Sequence, residues 1–402
     1  MELKTRYQYT YFIYPYIVQE KEYSKYLLKI LKNKDFKLRI FQKERDHDIY
    51  TYFLPKIKDY MFSSFHYETP DIRMLEETKN ETKAINLSKE PCTIFEYNLT
   101  RDIHGKIQEK QGIFFKIQKL ELICFNTGIC FLCIKTNVED LEDFSNILNF
   151  NYKFRDINKD DKLNEYDKIQ VQTSTFKDVH TFREFVQNIT GTNYNAYRLN
   201  INTERFLTYS YVCIDQEAWN NGTDFKEIKD NFTKFVNILP NDNNVNHGEE
   251  KATIVSKWKY AKIGITKQGV TLFCSSADIN NYTRLPEEFE TTYLYTYIFT
   301  LYKKICLKKI SERFQRGHFV EFTKKLWVQE ITSDNMGTTF YLGLKEVLEL
   351  EEMYYKIKYK YDILFKEVNL ENEKVIKILL MIALIISVGL NIMTFAAILR
   401  AI

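Results

Sequence analysis

Hydrophobic residues follow several periodicities along the chain, and the most uniform stretch lies near the C-terminus. Residues 378–399 read ILLMIALIISVGLNIMTFAAIL and contain no charged side chain. As a helix with a rise of 1.5 Å per residue, this segment is about 33 Å long, which matches the hydrocarbon core of a bilayer. The pattern predicts a single transmembrane helix over residues 377–400.

Before this segment, hydrophobic residues recur at alternating steps of three and four. Such heptad spacing is typical of the seam of a long helix, and no proline follows Pro286. We therefore expect one helix from about Phe340 through the membrane, with a stalk over residues 338–376. The stripe packs either on the protein's own soluble part or on other copies of itself. The predicted seam consists of Val347, Leu350, Tyr354, Ile357, Tyr361, Leu364 and Val368.

The predicted membrane helix carries a polar stripe. Ser387, Asn391 and Thr394 are spaced as i, i+4 and i+7, so they share one helical face, and Gly389 nearby allows close approach of another helix. An asparagine amide at bilayer depth is costly without partners. These four residues are the candidate pore or helix-interface residues of an oligomer. As the alternative, Ser and Thr bond to their own helix, and a simple anchor tolerates a single Asn.

The rest of the chain mixes strand and helix patterns. Residues 119–136, KLELICFNTGICFLCIKT, predict a β-hairpin whose turn needs a positive φ at Gly128. A strand over 7–18 contains Pro15, which restricts its second half to a sheet edge or a bend. A charged segment at 159–168 is a candidate boundary. The expected organisation is an N-terminal α/β region (1–157), a second mixed α/β region (158–285) and a helical region (286–332). The predicted fold class is an α+β cytosolic domain followed by the stalk and a single transmembrane helix.

Charge changes this picture little. The chain has 57 basic and 54 acidic residues, a net charge of +3, and the basic residues are spread over most segments. A dedicated nucleic-acid-binding protein concentrates basic charge on one element, so no direct nucleic-acid partner is expected. Three short lysine runs, at 303–304, 308–309 and 324–325, are interpreted as solvated helix faces.

The cysteines and the N-terminus indicate a location. The chain has seven cysteines, an odd number, and it begins without the apolar core of a signal peptide. Both features favour a reducing, cytosolic environment for most of the chain. Together with the apolar segment they predict a tail-anchored, single-pass protein of the cell inner (plasma) membrane, with its N-terminal domain in the cytoplasm and membrane lipid as a partner.

Signatures of catalysis are absent from the sequence. It lacks a GxxxxGK[ST] phosphate loop, a GxGxxG after a strand and a GxSxG elbow. Cys124, Cys130 and Cys133 suggest zinc, but Cys130 and Cys133 would point to opposite faces of a strand, so core cysteines are the favoured interpretation. We expect no enzyme, no catalytic residue, no metal and no cofactor, and no residue is assigned to a ligand.

The C-terminal layout resembles the CorA-type membrane proteins. In that family an α/β cytosolic domain precedes a long stalk helix and a pore-lining span of an oligomer, usually a pentamer, with a Gly-Met-Asn motif. Here Gly389-Leu390-Asn391 occupies a similar place. Leu390 in place of Met, and a single span instead of two, argue against dedicated magnesium transport.

The resemblance implies an oligomeric membrane effector of bacterial antiviral defence, whose cytosolic domain senses a ligand such as a nucleotide second messenger. The alternatives are a non-conducting, membrane-anchored binding or scaffold module, and a divalent cation channel or transporter.

Overall fold

The chain folds as two compact units. A computed structural model describes residues 3–99, 103–107, 112–140, 143–155, 169–172, 180–191, 206–242 and 252–401. Met1–Ile305 and Trp327–Leu348 form the first unit, which we call the sheet unit, and Cys306–Leu326 and Glu349–Ile402 form the second, the tail unit. The charged segment expected at a boundary, 159–168, lies outside the described residues.

One sheet organises the sheet unit, and the described residues contribute twelve strands to it. They are β1 (Thr5–Ile17), β2 (Phe36–Leu38), β3 (Cys92–Tyr97), β4 (Ile103–Ile107), β5 (Ile113–Phe125), β6 (Ile129–Val138), β7 (Ile169–Gln172), β8 (His180–Thr181), β9 (Leu207–Ile214), β10 (Thr253–Val255), β11 (Ala261–Thr266) and β12 (Gly269–Ser275).

The strand order is β10-β11-β12-β9-β1-β6-β5-β4-β7-β8, and β3 pairs with both β5 and β2. The pairing of β9 with β12 is parallel, and the other described pairs are antiparallel. Because β9 lies beside β1, the regions 1–157 and 158–285 contribute to the same sheet.

The helices cover the sheet and form the tail unit. They are α1 (Tyr23–Lys32), α2 (His47–Tyr52), α3 (Pro55–Met61), α4 (Thr69–Glu77), α5 (Asn80–Leu87), α6 (Phe144–Phe154), α7 (Phe182–Thr190), α8 (Lys229–Asn237), α9 (Leu285–Glu288), α10 (Leu294–Glu312), α11 (Arg316–Lys325), α12 (Asn335–Val347) and α13 (Leu350–Ala401). A π-helical turn, Phe289–Tyr293, joins α9 to α10.

The central strands are buried on both faces, so helices cover the sheet on both sides. On one face Phe12 of β1 contacts the rings of Phe150 and Phe154 of α6, and it belongs to a large core that also includes buried residues of α1 and α8. Removing this apolar surface from water is the main driving force for the fold. The α+β sheet domain predicted from the sequence is confirmed.

The opposite face is lined by tyrosines whose hydroxyls bond to the helical layer. The hydroxyl of Tyr9 donates to the carbonyl of Pro286 (2.8 Å), and that of Tyr209 donates to the carbonyl of Phe289 (2.6 Å). A buried tyrosine hydroxyl needs such a partner. Phe125 stacks on Tyr302 of α10, with ring centroids 3.7 Å apart. These contacts fix the π-helical turn and the start of α10 on the sheet.

The hairpin predicted at 119–136 is present as β5 and β6, and Cys124 pairs with Cys130 across its end. Gly128 in the turn has φ +79°, as the sequence predicted. A Cβ at this glycine would lie 2.0 Å from the carbonyl oxygen of Val18, because the nitrogen of Val18 bonds to the Gly128 oxygen (2.8 Å). Both conformation and space therefore require glycine here.

Among the described residues, the part of β1 that contains Pro15 pairs with one strand. The pairing of β1 with β9 ends at Ile13, whereas the pairing with β6 continues to Ile17. Proline lacks a backbone donor, so it fits where one side of the strand has no ladder to join. The edge position predicted for the second half of this strand is confirmed.

The single helix expected from about Phe340 is divided in two. Helix α12 ends at Val347, and α13 begins at Leu350. Glu349 between them has φ +56°, the left-handed conformation that ends many helices, although glycine usually occupies it. Neither proline nor glycine marks this break, so periodicity alone could not locate it.

We predict that Gly128→Ala lowers the free energy of unfolding by at least about 1–2 kcal/mol, because alanine is strained at positive φ and its Cβ meets a backbone oxygen. Gly317→Ala is the matched control. Nothing lies within 4 Å of a Cβ at this position in α11, so alanine should leave stability unchanged or raise it by up to about 1 kcal/mol. Denaturant unfolding in detergent measures both. If Gly128→Ala and Gly317→Ala were equally stable, the requirement for glycine at position 128 would be contradicted.

Candidate functional site

The first candidate site is the apolar part of α13. Among the described residues, one helix is long and apolar enough to cross a membrane: Glu373–Ile398, 26 residues whose most apolar window has a mean hydropathy of 2.5. None of its most apolar window is buried in the structure. An uncovered apolar surface of this length favours lipid or other apolar helices over water.

The polar stripe predicted on this helix is exposed. Ser387, Asn391 and Thr394 are solvent-accessible along one face, and a Cβ on Gly389 would meet nothing within 4 Å. Thr394 donates its hydroxyl to the carbonyls of Leu390 (3.0 Å) and Asn391 (2.9 Å) of its own helix. Within the described part of the chain, the side-chain amide of Asn391 makes no hydrogen bond. Asn391 is therefore the member of the stripe that gains most from a partner.

The predicted stalk seam changes character along its length. Val347 lies on α12 and is half-buried, while Leu350, Tyr354 and Ile357 at the start of α13 are buried. Tyr361 is half-buried, and Leu364 is 38% exposed. The side chain of Val368 lies outside those that the structure describes. The seam is thus covered over its first two turns and open farther along.

The covered part of the seam packs on α11 within the tail unit. The ring of Phe319 lies 5.5 Å from that of Tyr354 and 5.3 Å from that of Tyr361. Phe314 also contacts Tyr361, with 6.4 Å between centroids, and the Tyr354 hydroxyl lies 3.4 Å from that of Thr323. Aromatic pairs at these distances stabilise helix packing. For this part of the stripe, the structure favours packing on the protein's own helices.

We predict that Phe319→Ala increases hydrogen exchange of the amides at 350–361, because a buried Phe→Ala change costs about 3–5 kcal/mol in a well-packed core. Tyr355→Ala is the control, since Tyr355 on the same helix is 55% exposed. Mass spectrometry of the full chain in detergent measures both variants. Unchanged protection in Phe319→Ala would mean that other copies of α13, not α11, hold this segment.

A second candidate site is a pair of buried lysines in the sheet unit. The run at 303–304 was expected on a solvated face, but Lys303 is 0% and Lys304 8% exposed, so that prediction is wrong. The reason is their helix, because α10 up to Ile305 is apolar around its whole circumference and is buried. Lys324 and Lys325, in contrast, are exposed as expected.

Lys303 shares an enclosure of aromatic rings with Lys345 of α12. Its Nζ lies 5.0 Å from the centroid of Tyr341, 5.4 Å from Trp327 and 5.5 Å from Phe299. The Nζ of Lys345 lies 5.7 Å and 5.9 Å from the Tyr341 and Trp327 centroids. We call these five residues the lysine box. Both ammonium groups use the faces of the same two rings.

Hydrogen bonds close the lysine box. Lys303 Nζ donates to the Tyr341 hydroxyl, and that hydroxyl donates to the carbonyl of Val328 (3.1 Å). Lys345 Nζ lies 3.4 Å from Oε1 of Gln329. Burial, and then the charge of Lys345, lower the pKa of Lys303 to about 7. Lys303 can therefore change its charge near neutral pH.

Two ion pairs that are partly shielded from solvent lie on the tyrosine face of the sheet. Glu290, in the π-helical turn, bonds to Lys135 (2.5 Å) and accepts a hydrogen bond from Tyr11 (2.6 Å). Burial opposes its charge, yet Lys135 and Tyr11 hold the pKa of Glu290 below its usual value. Glu121 pairs with Lys119 (3.1 Å) in the same way. These pairs are mutually neutralising, as in a structural network.

The cysteines and histidines form no metal centre in the described part of the chain. No group of three or more His, Cys, Asp or Glu there could hold a metal ion. Cys124 and Cys130 face the core beside α1, whereas Cys133 pairs with Glu121 on strands β6 and β5. All seven cysteines are buried free thiols, and burial raises the pKa of Cys133.

An open groove of about 580 Å³ lies between edge strand β10 and α12 in the sheet unit. The strand contributes Ile254 and the adjoining Lys257, and the helix contributes Thr339, Leu342 and Glu346. Its volume is in the range of ligand sites, and its lining mixes apolar and polar groups. It is an opening in the described part of the sheet unit that could accept a small ligand.

Sequence patterns missed the lysine box and the groove. One sequence feature could have identified the lysine box: the nine residues LYTYIFTLY at 294–302, directly before Lys303, carry no charge. A helix that is apolar on all sides is buried, so a lysine in it is buried too. The groove had no comparable signal, because residues 253–257 and α12 are far apart in sequence.

Comparison with known proteins adds no relative. No protein-family model matches the chain, and no curated protein matches it significantly.

Proposed function

We propose that the chain is an oligomeric, tail-anchored membrane effector. Residues Glu373–Ile398 cross the inner membrane once, and the sheet unit lies in the cytoplasm, where it senses a small ligand. The membrane helices of the oligomer pack together and alter the permeability of the membrane in response. A nucleotide second messenger is the ligand class implied by the CorA-type resemblance, and antiviral defence is the corresponding role.

The observation that supports this proposal most directly is the uncovered apolar helix. The most apolar window of this helix has a mean hydropathy of 2.5, and none of it is buried. Such a surface is unfavourable in water. The sheet unit, in contrast, has an extensive core of its own. A stable folded unit joined to an apolar helix is the arrangement that a membrane-anchored sensor requires.

Asn391 supports self-association. Its amide makes no hydrogen bond in the described part of the chain, and Gly389 leaves room beside it for a second backbone. In lipid an unsatisfied amide is costly, so helices that pair through Asn391 are favoured over isolated ones. A ligand can open such a bundle only if it binds the open and closed states with different affinities.

We predict that Asn391→Leu weakens association of the spans about 3- to 30-fold, because an interhelical hydrogen bond contributes about 0.6–2 kcal/mol in membranes. Energy transfer between differently labelled N-terminal fusions in lipid vesicles, over a range of protein-to-lipid ratios, measures it. Thr394→Val should change association little, since that hydroxyl bonds to its own helix.

Ile392→Leu is the second control, because it changes shape without removing a polar group. Loss of association in both Asn391→Leu and Ile392→Leu would indicate packing rather than hydrogen bonding. An Asn391→Leu variant that associates like the wild type would rule out the proposed interface.

The effector role is tested by induced expression in bacteria with a membrane-potential dye. The proposal expects depolarisation by the wild type and a normal potential with Asn391→Leu at equal abundance in carbonate-washed membranes. An unchanged potential for the wild type, including after phage infection, would contradict a permeability function.

That result would favour a second candidate, a non-conducting anchored binding module. Two observations favour it: Thr394 satisfies its hydroxyl within its own helix, and the first part of the seam packs on α11. In such a protein the apolar helix only holds the sheet unit at the membrane.

A further inference from the structure

We propose that Lys303 is a proton-operated latch that holds α12 against α10 through the lysine box. When its amine is neutral the box stays closed, and when it is protonated two positive charges share one aromatic enclosure and the box opens more readily. The latch is a property of the sheet unit alone, and it does not depend on the proposed membrane function.

The geometry makes Lys303 the central group of the latch. Its side chain is fully buried, and its amine reaches from α10 to the Tyr341 hydroxyl on α12. Two residues of the segment before α12 also enclose it. The ring of Trp327 contacts the amine, and the carbonyl of Val328 accepts the hydrogen bond of the Tyr341 hydroxyl. Opening the box therefore means separating α12 and residues 327–329 from α10.

Among the described residues, the groups that face the Lys303 amine are either cationic or uncharged. From α12 Lys345 and Tyr341 face it, from its own helix Phe299 does, and the segment before α12 supplies the neutral side chains Trp327 and Gln329. Lys345 is the charged group that acts on Lys303, and it disfavours a second positive charge. The rings compensate an ammonium only in part.

The sign of the pH effect follows from proton linkage. In the closed box the pKa of Lys303 is about 7, whereas in water it is 10.5. Between these values the open state binds more protons than the closed state, so opening becomes more favourable as the pH falls. The opening equilibrium should rise about 50-fold between pH 9 and pH 7, and only about twofold more below pH 7, where the closed state binds the proton as well.

Hydrogen exchange of the full chain in detergent tests the latch. Protection factors, corrected for the intrinsic pH dependence of exchange, are compared at pH 7 and pH 9 for peptides within 327–347. We expect a decrease of about 50-fold from pH 9 to pH 7. Peptides from β5 and β6, which lie outside the box, should change much less and serve as the internal reference.

Variants separate the latch from general pH effects. Lys303→Met keeps the length of the side chain without a charge, so its α12 peptides should stay protected at both pH values. Lys303→Arg carries a permanent charge, so its protection should be low and independent of pH. Lys345→Met removes the like charge and raises the pKa of Lys303, so the ratio of protection between pH 9 and pH 7 should shrink. Lys25→Met, at an exposed position of α1, should behave as the wild type.

Two results would overturn the proposal. One is a wild-type protein whose corrected protection in 327–347 is the same at pH 7 and pH 9. The other is a Lys303→Met variant that is folded by circular dichroism and keeps the full pH dependence, since the titrating group would then lie elsewhere.

Discussion

Burial of both faces of one sheet is the constraint on which the structure depends. Strands β1, β6 and β9 and the second half of β5 are almost continuously buried, so neither face can be left to solvent. One face is covered through aromatic and aliphatic contacts with α1, α6 and α8. The other carries tyrosines, and their hydroxyls require acceptors, which the backbone around α9 and the π-helical turn supplies. The helices are thus placed by hydrogen bonds as well as by apolar area.

The same layer explains the buried lysines. Once α10 is enclosed up to Ile305, any polar side chain on it is enclosed as well, whatever its charge. Aromatic rings partly replace the lost water around Lys303, and Tyr341 gives its amine an acceptor. The remaining cost appears as a lowered pKa. A group that would be permanently charged on a surface becomes titratable near neutral pH, which gives the fold a chemical sensitivity at this position.

The tail unit follows a different principle. The start of α13 is covered by α11, and its last two dozen residues have no cover within the structure. Membrane lipid, together with other copies of the helix, is the environment that would remove this surface from water. The sheet unit and the apolar helix would then occupy different solvents. The chain passes between the two units at three places: within α10, after Leu326 and at Glu349.

Much of the architecture was determined by local sequence. The hairpin at 119–136, the one-sided position of Pro15 and the apolar helix follow from periodicity, turn chemistry and uniform apolarity, each of which acts between residues close in the chain. The seam residues Tyr354 and Ile357 were likewise identified as buried positions, although not what buries them.

Tertiary structure alone decided where β9 joins the sheet, that Glu349 divides the expected long helix, and that Lys303 and Lys345 meet beneath Trp327. Each depends on groups brought together from distant parts of the chain, or on a backbone conformation that packing imposes on an ordinary residue. The spacing of residues in the sequence does not predict such contacts, because their energies arise only when the surrounding layers have excluded water.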